Sequence, residues 1–561
     1  MEKEERERMS MQKRALLRRL TAALLALMML GGLAAAFADG EVPEGYPAVR
    51  IDPQTGKPYD FGGQTVYIYD YWTGSNWDEE MPGTEYDRAV YLYRAWLQNT
   101  YNCKLVNIAK GDWGSIAEEM VSFVRNPDGS LCLFILPADF LGYALNANAC
   151  AKWNGTAWFA ETKDKWNSTI VNQMTLSGGV YGVSVGKTEP RQCLFFNKRV
   201  LTEAGVDWNA LYDMQQAGTW TWTAFENILQ KVHRDTDGDE IPDVFGFLGN
   251  PDDLYRIAVF SNGGSFIAGD ADGRLTASAG NAQSLSALNW AKNLLRQYQA
   301  RRPEDSAWDW YKDVWKEGTT AFYVGQAYSG FGDNSEMSDM ADPWGCVAFP
   351  IGPNGSTYVT IASENVTVIP NVYRKDTINK LVMIYDLWTA SPAGLSSEDD
   401  WIGNKYLYTD ARAVDETYAM LRDPAHTVAD KAALLGSINE VEGQYLLWEI
   451  GGEMTLTQTL AYAETEWNQM IGRFNANYRP PFRIADYVKV LYLPEDTLIV
   501  ESEAFAGTDA EVVVVPFDCQ TIMSRAFADC PNLQYMLVPQ GSRVGIAEDA
   551  FGGKDVTVIR E

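Results

Sequence analysis

Residues Gly218–Phe247 read GTWTWTAFENILQKVHRDTDGDEIPDVFGF, and this stretch combines a helical pattern with an acidic loop. Thr223 and, three residues later, Glu226 have the spacing of a helix-capping box, which predicts the start of a helix there. Apolar residues follow at the spacing of one helix face; they are Phe225, Ile228, Leu229 and Val232. We therefore expect a short amphipathic helix that ends near His233.

The loop after this helix carries aspartates at its positions 1, 3, 5 and 9, namely Asp235, Asp237, Asp239 and Asp243. Carboxylates at this spacing repel one another unless a hard cation neutralises them, and calcium is the natural candidate, with the backbone carbonyl of Ile241 as a further ligand. The loop is not an EF-hand, because Glu240 and Gly246 occupy the positions that need glycine and glutamate. A calcium site and a solvated acidic turn both remain open.

Other motifs follow in a fixed order, namely LFFNKRVLTEAGVDW (194–208), GTTAFYVGQ (318–326), WGCVAFPIGP (344–353) and ENVTVIP (364–370). Together with the opening stretch, this series resembles the extracellular solute-binding proteins of ABC importers, family 1, many of which serve carbohydrates. The resemblance implies a two-lobed α/β fold of the periplasmic-binding-protein type II. It also implies that the lobes close on a small ligand by hinge bending, and that a membrane permease receives it without chemical change.

The family analogy also predicts the domain boundaries. A linker over 39–60 would precede a solute-binding domain over 61–477. The chain would cross between the lobes about three times, and a few crossing strands form a hinge that bends at few residues. The expected lobes are 61–177 with 318–369 for lobe one, and 178–317 with 370–477 for lobe two.

Ligand contacts are expected where strands end, because the crevice of an open α/β sheet lies outside the carboxyl ends of its strands. Trp72 follows the alternating strand pattern TVYIYDYW, and Asp139 follows the buried run LCLFIL. Tyr328 lies in a glycine-rich loop, and the family resemblance adds Glu364 and Tyr181. For Asp139 a helix N-cap is an equal alternative, and a tryptophan often only fills the core.

The N-terminus predicts secretion. Residues 1–38 combine a basic end, an apolar run and an A-x-A cleavage site, which is the pattern of a signal peptide. No cysteine follows the apolar run, since the first is Cys103, and a lipid anchor is therefore not expected. The formal net charge of −29 argues against nucleic acid as a partner. The seven dispersed cysteines predict mostly buried thiols, and we expect a monomer.

Residues 482–561 differ from the preceding sequence, because they contain a sequence repeat of 22 to 24 residues. Short β-runs end at Pro494, Pro516 and Pro539, and Ala-Phe pairs recur at the same interval. Such a period predicts stacked strands in a β solenoid. The segment resembles the variant leucine-rich repeats of bacterial surface proteins, and its partner is not evident. A passive spacer and a binding role are both open.

Two alternatives to solute binding remain. The run Gly182–Gly186 matches the G-x-S-x-G elbow of serine hydrolases, but the chain has only His233 and His426 to complete a triad. No catalytic residue is therefore assigned. A calcium-dependent secreted enzyme that acts on glycosides through paired carboxylates is the main enzymatic alternative. The other is a surface adhesion protein that acts through its C-terminal repeats.

Overall fold

The computed structural model describes residues 42–74, 85–270, 273–307, 309–330, 335–337, 340–392, 402–403, 405–406, 409–446, 454–478 and 489–560. The predicted signal peptide, residues 1–38, lies outside them. The chain divides into two compact units with a boundary between Arg479 and Pro480. Among the described residues, no helix has both the length and the apolar character needed to cross a membrane.

The described residues of the first unit form fourteen strands. They are β1 Thr65–Asp70, β2 Lys104–Ala109, β3 Leu131–Leu136, β4 Thr175–Leu176, β5 Gly179–Val180, β6 Gln192–Asn197, β7 Phe245–Gly249, β8 Ile267–Gly269, β9 Leu275–Ala277, β10 Thr320–Gln326, β11 Trp344–Ala348, β12 Thr360–Ala362, β13 Val366–Val368 and β14 Thr427–Ala429.

The described residues of the first unit also form α-helices. They are α1 Glu85–Thr100, α2 Ile116–Arg125, α3 Leu141–Asn146, α4 Ala157–Thr162, α5 Ser168–Gln173, α6 Lys198–Glu203, α7 Asn209–Gln216, α8 Trp222–Val232, α9 Pro251–Ser261, α10 Ala282–Tyr298, α11 Tyr311–Lys316, α12 Lys375–Trp388, α13 Ala419–Leu421 and α14 Leu456–Asn477. A π-helical turn, Ala413–Tyr418, leads into α13.

Lobe one is built on a sheet with the strand order β13-β3-β1-β2. Strand β1 pairs in parallel with β2 and β3, and β13 pairs antiparallel with β3. The apolar run of β3 is buried, as expected for a strand covered on both faces. Helix α12 supplies Leu381, Val382 and Ile384 to the core that packs against β1.

Lobe two is built on a second sheet, with the order β11-β6-β10-β7. Strand β10 pairs in parallel with β7, whereas β6 runs antiparallel to both β10 and β11. This corrects the predicted lobe boundary, which placed residues 318–369 in lobe one. The buried strands β10 and β11 extend the sheet of lobe two, and the return to lobe one comes only after β12.

The second expected boundary is also wrong. Residues 370–477 were assigned to lobe two, but α12 packs on lobe one, as its core contacts show. The chain returns to lobe two with β14, which pairs in parallel with β12 through Ile361 and Val428. The apolar face of α12 has its burial partner in lobe one, and this packing decides its place.

The segment before β1 is not a free linker. Tyr59 is buried, and the ring of Tyr46 packs edge-on against that of Tyr93, with 5.1 Å between the centroids. Arg50 forms a salt bridge with Asp386 of α12. These contacts place residues 46–60 on the surface of lobe one. The prolines that suggested a linker instead shape a docked segment rich in turns.

Helix α8 ends at Val232 with His233 as its C-cap, and its four predicted apolar residues are buried. Its start differs from the prediction: Thr221 is the N-cap, and its hydroxyl accepts a hydrogen bond from the backbone N–H of Ala224. Thr223 is therefore already inside the helix. All seven cysteines are buried and unbridged.

In the second unit, residues 489–560 form seven strands in two parallel sheets. They are β15 Val490–Tyr492, β16 Ile499–Val500, β17 Val512–Val514, β18 Thr521–Ile522, β19 Tyr535–Val538, β20 Gly545–Ile546 and β21 Thr557–Arg560. Strands β15, β17, β19 and β21 form one sheet, and β16, β18 and β20 the other. The rings of Phe505 and Phe527 stack with centroids 5.4 Å apart, so equivalent residues of neighbouring repeats lie above one another.

Candidate functional site

The candidate site lies where both central sheets present their strand ends. In lobe one, β1 and β3 are parallel neighbours, so their carboxyl ends lie at one edge. In lobe two, β10 runs parallel to β7, and Gln326 at its end pairs with Gln192 at the start of the antiparallel β6. The first residues of β6 and the residues that follow β7 and β10 therefore share an edge.

Trp72 lies two residues after the end of β1 and exposes 53 % of its surface. The fully buried Asp70 fixes this turn, because its carboxylate accepts hydrogen bonds from the backbone N–H groups of Trp72 and Thr73, at 3.1 and 2.9 Å. The Trp72 ring also packs edge-on against Tyr71, with 4.7 Å between the centroids. The indole is thus an exposed aromatic face on a fixed support.

Asp139 follows β3 in the 3-10 turn Ala138–Phe140. Burial raises the pKa of its carboxyl, while the guanidinium groups of Arg256 and Arg191 oppose that rise. Both arginines belong to lobe two, so this carboxylate of lobe one faces the opposite wall. The structure shows no hydrogen bond to the Asp139 carboxylate from any residue that it describes. It is not the N-cap of α3, which begins after Phe140.

On the wall formed by lobe two, Arg191 lies just before β6. Its Nη1 donates to Gln326 Oε1 at 3.1 Å, and its Nη2 donates to the carbonyl oxygen of Ser363 at 3.0 Å. The guanidinium carbon lies 5.5 Å from the ring centroid of Tyr328. Tyr328 exposes 49 % of its surface, so the arginine supports one face of an otherwise open ring.

Two carboxylates begin α9 on the same side. Gln192 Nε2 donates a hydrogen bond to Asp253 Oδ1 at 3.1 Å. Burial raises the pKa of Asp252 to about 6, against the lowering effect of the Arg256 charge. The Oδ1 atom of Asp252 is buried and accepts no hydrogen bond among the described residues. The helix N-terminus favours these anions, which offsets part of the cost of burying them.

Arg256, one turn further along α9, is surrounded by acids. Its Nη2 lies 3.3 Å from Asp430 Oδ2, and its Nε lies 3.4 Å from Glu442 Oε2. Glu442 is fully buried, and neither of its carboxylate oxygens accepts a hydrogen bond from the described residues. Burial raises the pKa of Glu442, and the charge of Asp430 adds to that rise.

We call Asp139, Asp252, Asp253, Asp430 and Glu442 the interlobe acidic cluster. Its members hold more acceptor oxygens than the surrounding protein donors satisfy. Two exposed aromatic rings follow strands of the two central sheets, Trp72 after β1 in lobe one and Tyr328 after β10 in lobe two. Carboxylates accept hydrogen bonds from hydroxyl groups, and aromatic faces bind apolar C–H surfaces, so the arrangement suits a polar ligand with apolar faces.

The predicted contact Glu364 lies at the crossing between the lobes instead. Its Oε1 accepts a hydrogen bond from the backbone N–H of Glu189 at 2.8 Å, which joins two segments that pass between the lobes. Burial raises the pKa of Glu364 to about 7, and its Oε2 is buried with no hydrogen-bond partner among the described residues. The salt bridges of Lys405 and Arg422 to Glu189, at 3.7 and 3.8 Å, reinforce this hinge.

Tyr181 is separated from the other predicted contacts. Its ring packs edge-on against Tyr478, with 5.2 Å between the centroids, and lines a hollow of about 450 Å³ with Lys152 and Lys375. A neighbouring hollow of about 440 Å³ includes Lys375 and Lys380. Neither hollow contains a residue of the interlobe acidic cluster. We therefore locate the candidate site from the acidic and aromatic side chains described above and not from the position of the two hollows.

In the predicted calcium loop, oxygen atoms of Asp235, Asp237 and Asp239 lie within 4.8 Å of one another. The loop also provides hydrogen-bond donors for its own carboxylates, since Asp235 accepts hydrogen bonds from the backbone N–H groups of Gly238 and Glu240 at 2.7 and 2.8 Å. Asp243 differs from the trio, because its carboxylate accepts the hydroxyl and the backbone N–H of Thr236. The carboxylates of the trio and the Ile241 carbonyl are the oxygen types that calcium prefers.

Sequence reasoning missed Arg191, Asp253 and Arg256. Arg191 lies three residues before the LFFN motif, and its role depends on the antiparallel placement of β6, which no local pattern reveals. Asp253 had a usable signal: the run Asn250-Pro251 after a strand marks a helix start, and acids in the first turn of a helix at a sheet edge are candidate contacts.

Comparisons with known proteins agree with this two-lobed architecture. UspC from M. tuberculosis has a TM-score of 0.51 at 18 % identity, covering 72 % of this chain and 100 % of its own. The cyclic α-maltosyl-1,6-maltose binding protein from Arthrobacter globiformis has a TM-score of 0.50 at 15 % identity, covering 73 % and 99 %. At such identities the likeness shows the fold alone.

No curated protein sequence matches the chain. A family model described as bacterial extracellular solute-binding protein matches residues 95–378. That span is half of the chain and includes the central sheet of lobe two, all strands of the lobe-one sheet except β1, the two crossings described above and the interlobe carboxylates up to Asp253. The chain therefore belongs to the bacterial extracellular solute-binding protein family.

Proposed function

We propose that this protein captures a carbohydrate, in particular an oligosaccharide, between its two lobes and delivers it to the permease subunits of an ABC importer. One observation carries the proposal: Asp139 of lobe one lies near enough to Arg191 and Arg256 of lobe two for their charges to act on its carboxyl, and Arg191 supports the exposed ring of Tyr328. A ligand shifts an open–closed equilibrium only when it contacts both walls, and this site offers contacts on both.

The chemistry of the walls supports a sugar. Pyranose rings present C–H faces to aromatic side chains and hydroxyl groups to carboxylates. The A. globiformis relative is named for binding a cyclic maltosyl-maltose, which supports the same ligand class. The family is extracellular, and a secreted protein that begins with a signal peptide fits that setting.

Isothermal titration calorimetry against a panel of oligosaccharides tests the proposal. We expect one-to-one binding to at least one oligosaccharide, with the sugar recovered unchanged after incubation. Heat with peptides but with no sugar would overturn the ligand class. Release of reducing ends would instead favour the enzymatic alternative, for which Asp139 and Asp253 are a carboxylate pair of the required type.

Two further parts of the molecule carry proposals of their own. We infer that the Asp235–Asp243 loop binds calcium. This ion would have a structural role and would take no part in ligand binding. We also infer that the second unit is a leucine-rich-repeat-like β solenoid, supported by its two in-register parallel sheets and the stacked Phe505 and Phe527. Deletion of residues 482–561 should leave ligand affinity unchanged if the two units divide the work.

A further inference from the structure

The interlobe acidic cluster carries an excess of negative charge. Asp430 and Glu442 contact Arg256, while Asp139, Asp252 and Asp253 lie near enough for the charge of Arg256 to act on their carboxyl groups, and both Arg256 and Arg191 already have protein partners. Asp430 and Glu442 lie within 3.4 Å of Arg256, so that arginine serves more than one acid. Arg191 is held by Gln326 and Ser363. Without ligand, the site therefore contains carboxylates whose negative charge Arg191 and Arg256 do not fully neutralise.

The described part of this cluster leaves a buried acceptor atom without a partner. Within the described residues, Asp252 Oδ1 accepts no hydrogen bond, whereas the fully buried Glu442 has Arg256 as an ion-pair partner, 3.4 Å from Oε2, and Asp430 beside it. Leaving a charged acceptor buried and unpaired is costly, and natural structures seldom do so without a bound partner. Burial raises the pKa of Asp253 and of Asp139, which shows that the protein alone does not stabilise the charged forms well.

A single metal ion does not fit these acids. Among the described residues, only the trio Asp235, Asp237 and Asp239 brings three ligand atoms within 4.8 Å of one another. The interlobe carboxylates are spread too widely for one ion. A larger organic cation can contact several of them at once, and exposed aromatic rings beside the acids favour a cation further through their π faces.

We propose that the bound carbohydrate is an amino sugar, whose protonated amino group takes a place among the carboxylates of the interlobe acidic cluster while its ring stacks on Trp72 or Tyr328. This proposal rests on the function proposed above. An ammonium group donates three hydrogen bonds and adds a positive charge, so it satisfies acceptors and neutralises charge together. The hydroxyl groups of neutral sugars can donate hydrogen bonds but bring no positive charge, and uronic acids or sugar phosphates would add to the repulsion.

The test uses matched oligosaccharides and the full-length secreted chain. Each backbone in the panel is compared in three forms that differ at carbon 2, where the substituent is hydroxyl, acetamido or ammonium. Calorimetry at pH 7 should show the ammonium form binding about tenfold or more tightly than the hydroxyl form. Two buffers of different ionisation enthalpy should also reveal proton release from the carboxylates when the cation binds.

A variant checks where the preference arises. Asp253→Asn should reduce the preference for the ammonium form over the hydroxyl form, because one nearby anion is removed while the shape is kept. The matched control is Asp207→Asn, since Asp207 is an exposed acid of lobe two outside the cluster. That control should leave the preference unchanged.

The outcomes separate the two proposals. Equal or tighter binding of a hydroxyl or acetamido form, with strong binding overall, would overturn the amino-sugar inference and keep the carbohydrate function. Binding of spermidine but of no sugar would overturn both. An unaltered ammonium preference in Asp253→Asn would show that the preference does not come from the cluster.

Discussion

The guanidinium carbon of Arg191 lies 5.5 Å from the ring centroid of Tyr328, and this pair links the hinge to the ligand wall. Arg191 also binds the carbonyl oxygen of Ser363, beside the crossing residue Glu364. Movement of the crossing segments would therefore change the support of the tyrosine ring. The position of Tyr328, a predicted ligand contact, therefore depends on the hinge through the side chain of Arg191.

Tyr328→Ala is expected to weaken ligand binding about tenfold, because loss of one stacking ring costs on the order of 1 kcal/mol. Tyr328→Phe should bind nearly as well as the parent, since the ring and its Arg191 support remain. Calorimetry with the tightest oligosaccharide of the panel measures both. Tyr462→Ala removes an equally exposed tyrosine from α14 and should have no effect; a similar loss there would show that the effect is not local.

Asp139→Asn is expected to separate stability from binding. The substitution removes the charge of a partly buried carboxyl that no described group hydrogen-bonds, so the free protein should gain roughly 1 kcal/mol of unfolding free energy. Ligand affinity should fall about tenfold or more, because an amide accepts weaker hydrogen bonds than a carboxylate. Urea unfolding and calorimetry on the same preparation check the two effects. Decreased stability together with unchanged affinity would place Asp139 in a purely structural role.

The sequence predicts elements better than their assignment to lobes. Strand β3 and the C-terminus of α8 fall where the apolar patterns placed them. A strand buried on both faces needs a continuous apolar run, and a helix buried along one face needs apolar residues at helical spacing, so both leave a pattern in the local sequence. Strand β10 was expected in lobe one, yet it lies between β6 and β7 of lobe two. The apolar run of β10 would suit the interior of either sheet, so the local sequence does not determine which strands β10 pairs with.

The same limit applies to the site. The positions of Trp72 and Asp139 near strand ends were predictable, because each lies within three residues of the end of a recognisable strand and the edge rule needs no tertiary detail; their contact with ligand stays a prediction. Glu364 was expected to contact ligand, but the structure places its carboxylate against the backbone N–H of Glu189. A carboxylate at a lobe crossing and one at a cleft wall look alike in sequence, since only the neighbouring segment decides what it meets.

Calcium is expected to stabilise the protein through the Asp235–Asp243 loop. An ion that binds only the folded state at one hundred times its dissociation constant adds about 2.7 kcal/mol of unfolding free energy. The melting temperature should therefore rise with calcium and fall with a chelator, and magnesium should act more weakly because it demands tighter octahedral geometry. Asp237→Asn should remove the response. A melting temperature that does not move with calcium would identify the loop as a solvated acidic turn.

Glu364→Gln is expected to change how stability depends on pH. Burial raises the pKa of Glu364 from an ordinary value of 4.5 to about 7, so the folded state holds a proton that the unfolded state has released. The free energy of unfolding therefore falls as pH rises from about 4.5 to 7, by about 3 kcal/mol for this group, and then stays level. The neighbouring charges on this carboxyl are Arg191 and Glu189.

Glutamine has no charge to titrate, and its carbonyl oxygen can still accept the Glu189 N–H, so the variant should lose this decline. Urea unfolding at pH 5 and pH 8 measures it as the difference between parent and variant, which cancels the other titrating acids. Glu161→Gln, at an exposed position of α4, should follow the parent at both pH values. If Glu364→Gln also declines like the parent, the hinge carboxyl is ionised without cost and solvent must reach it when the lobes move.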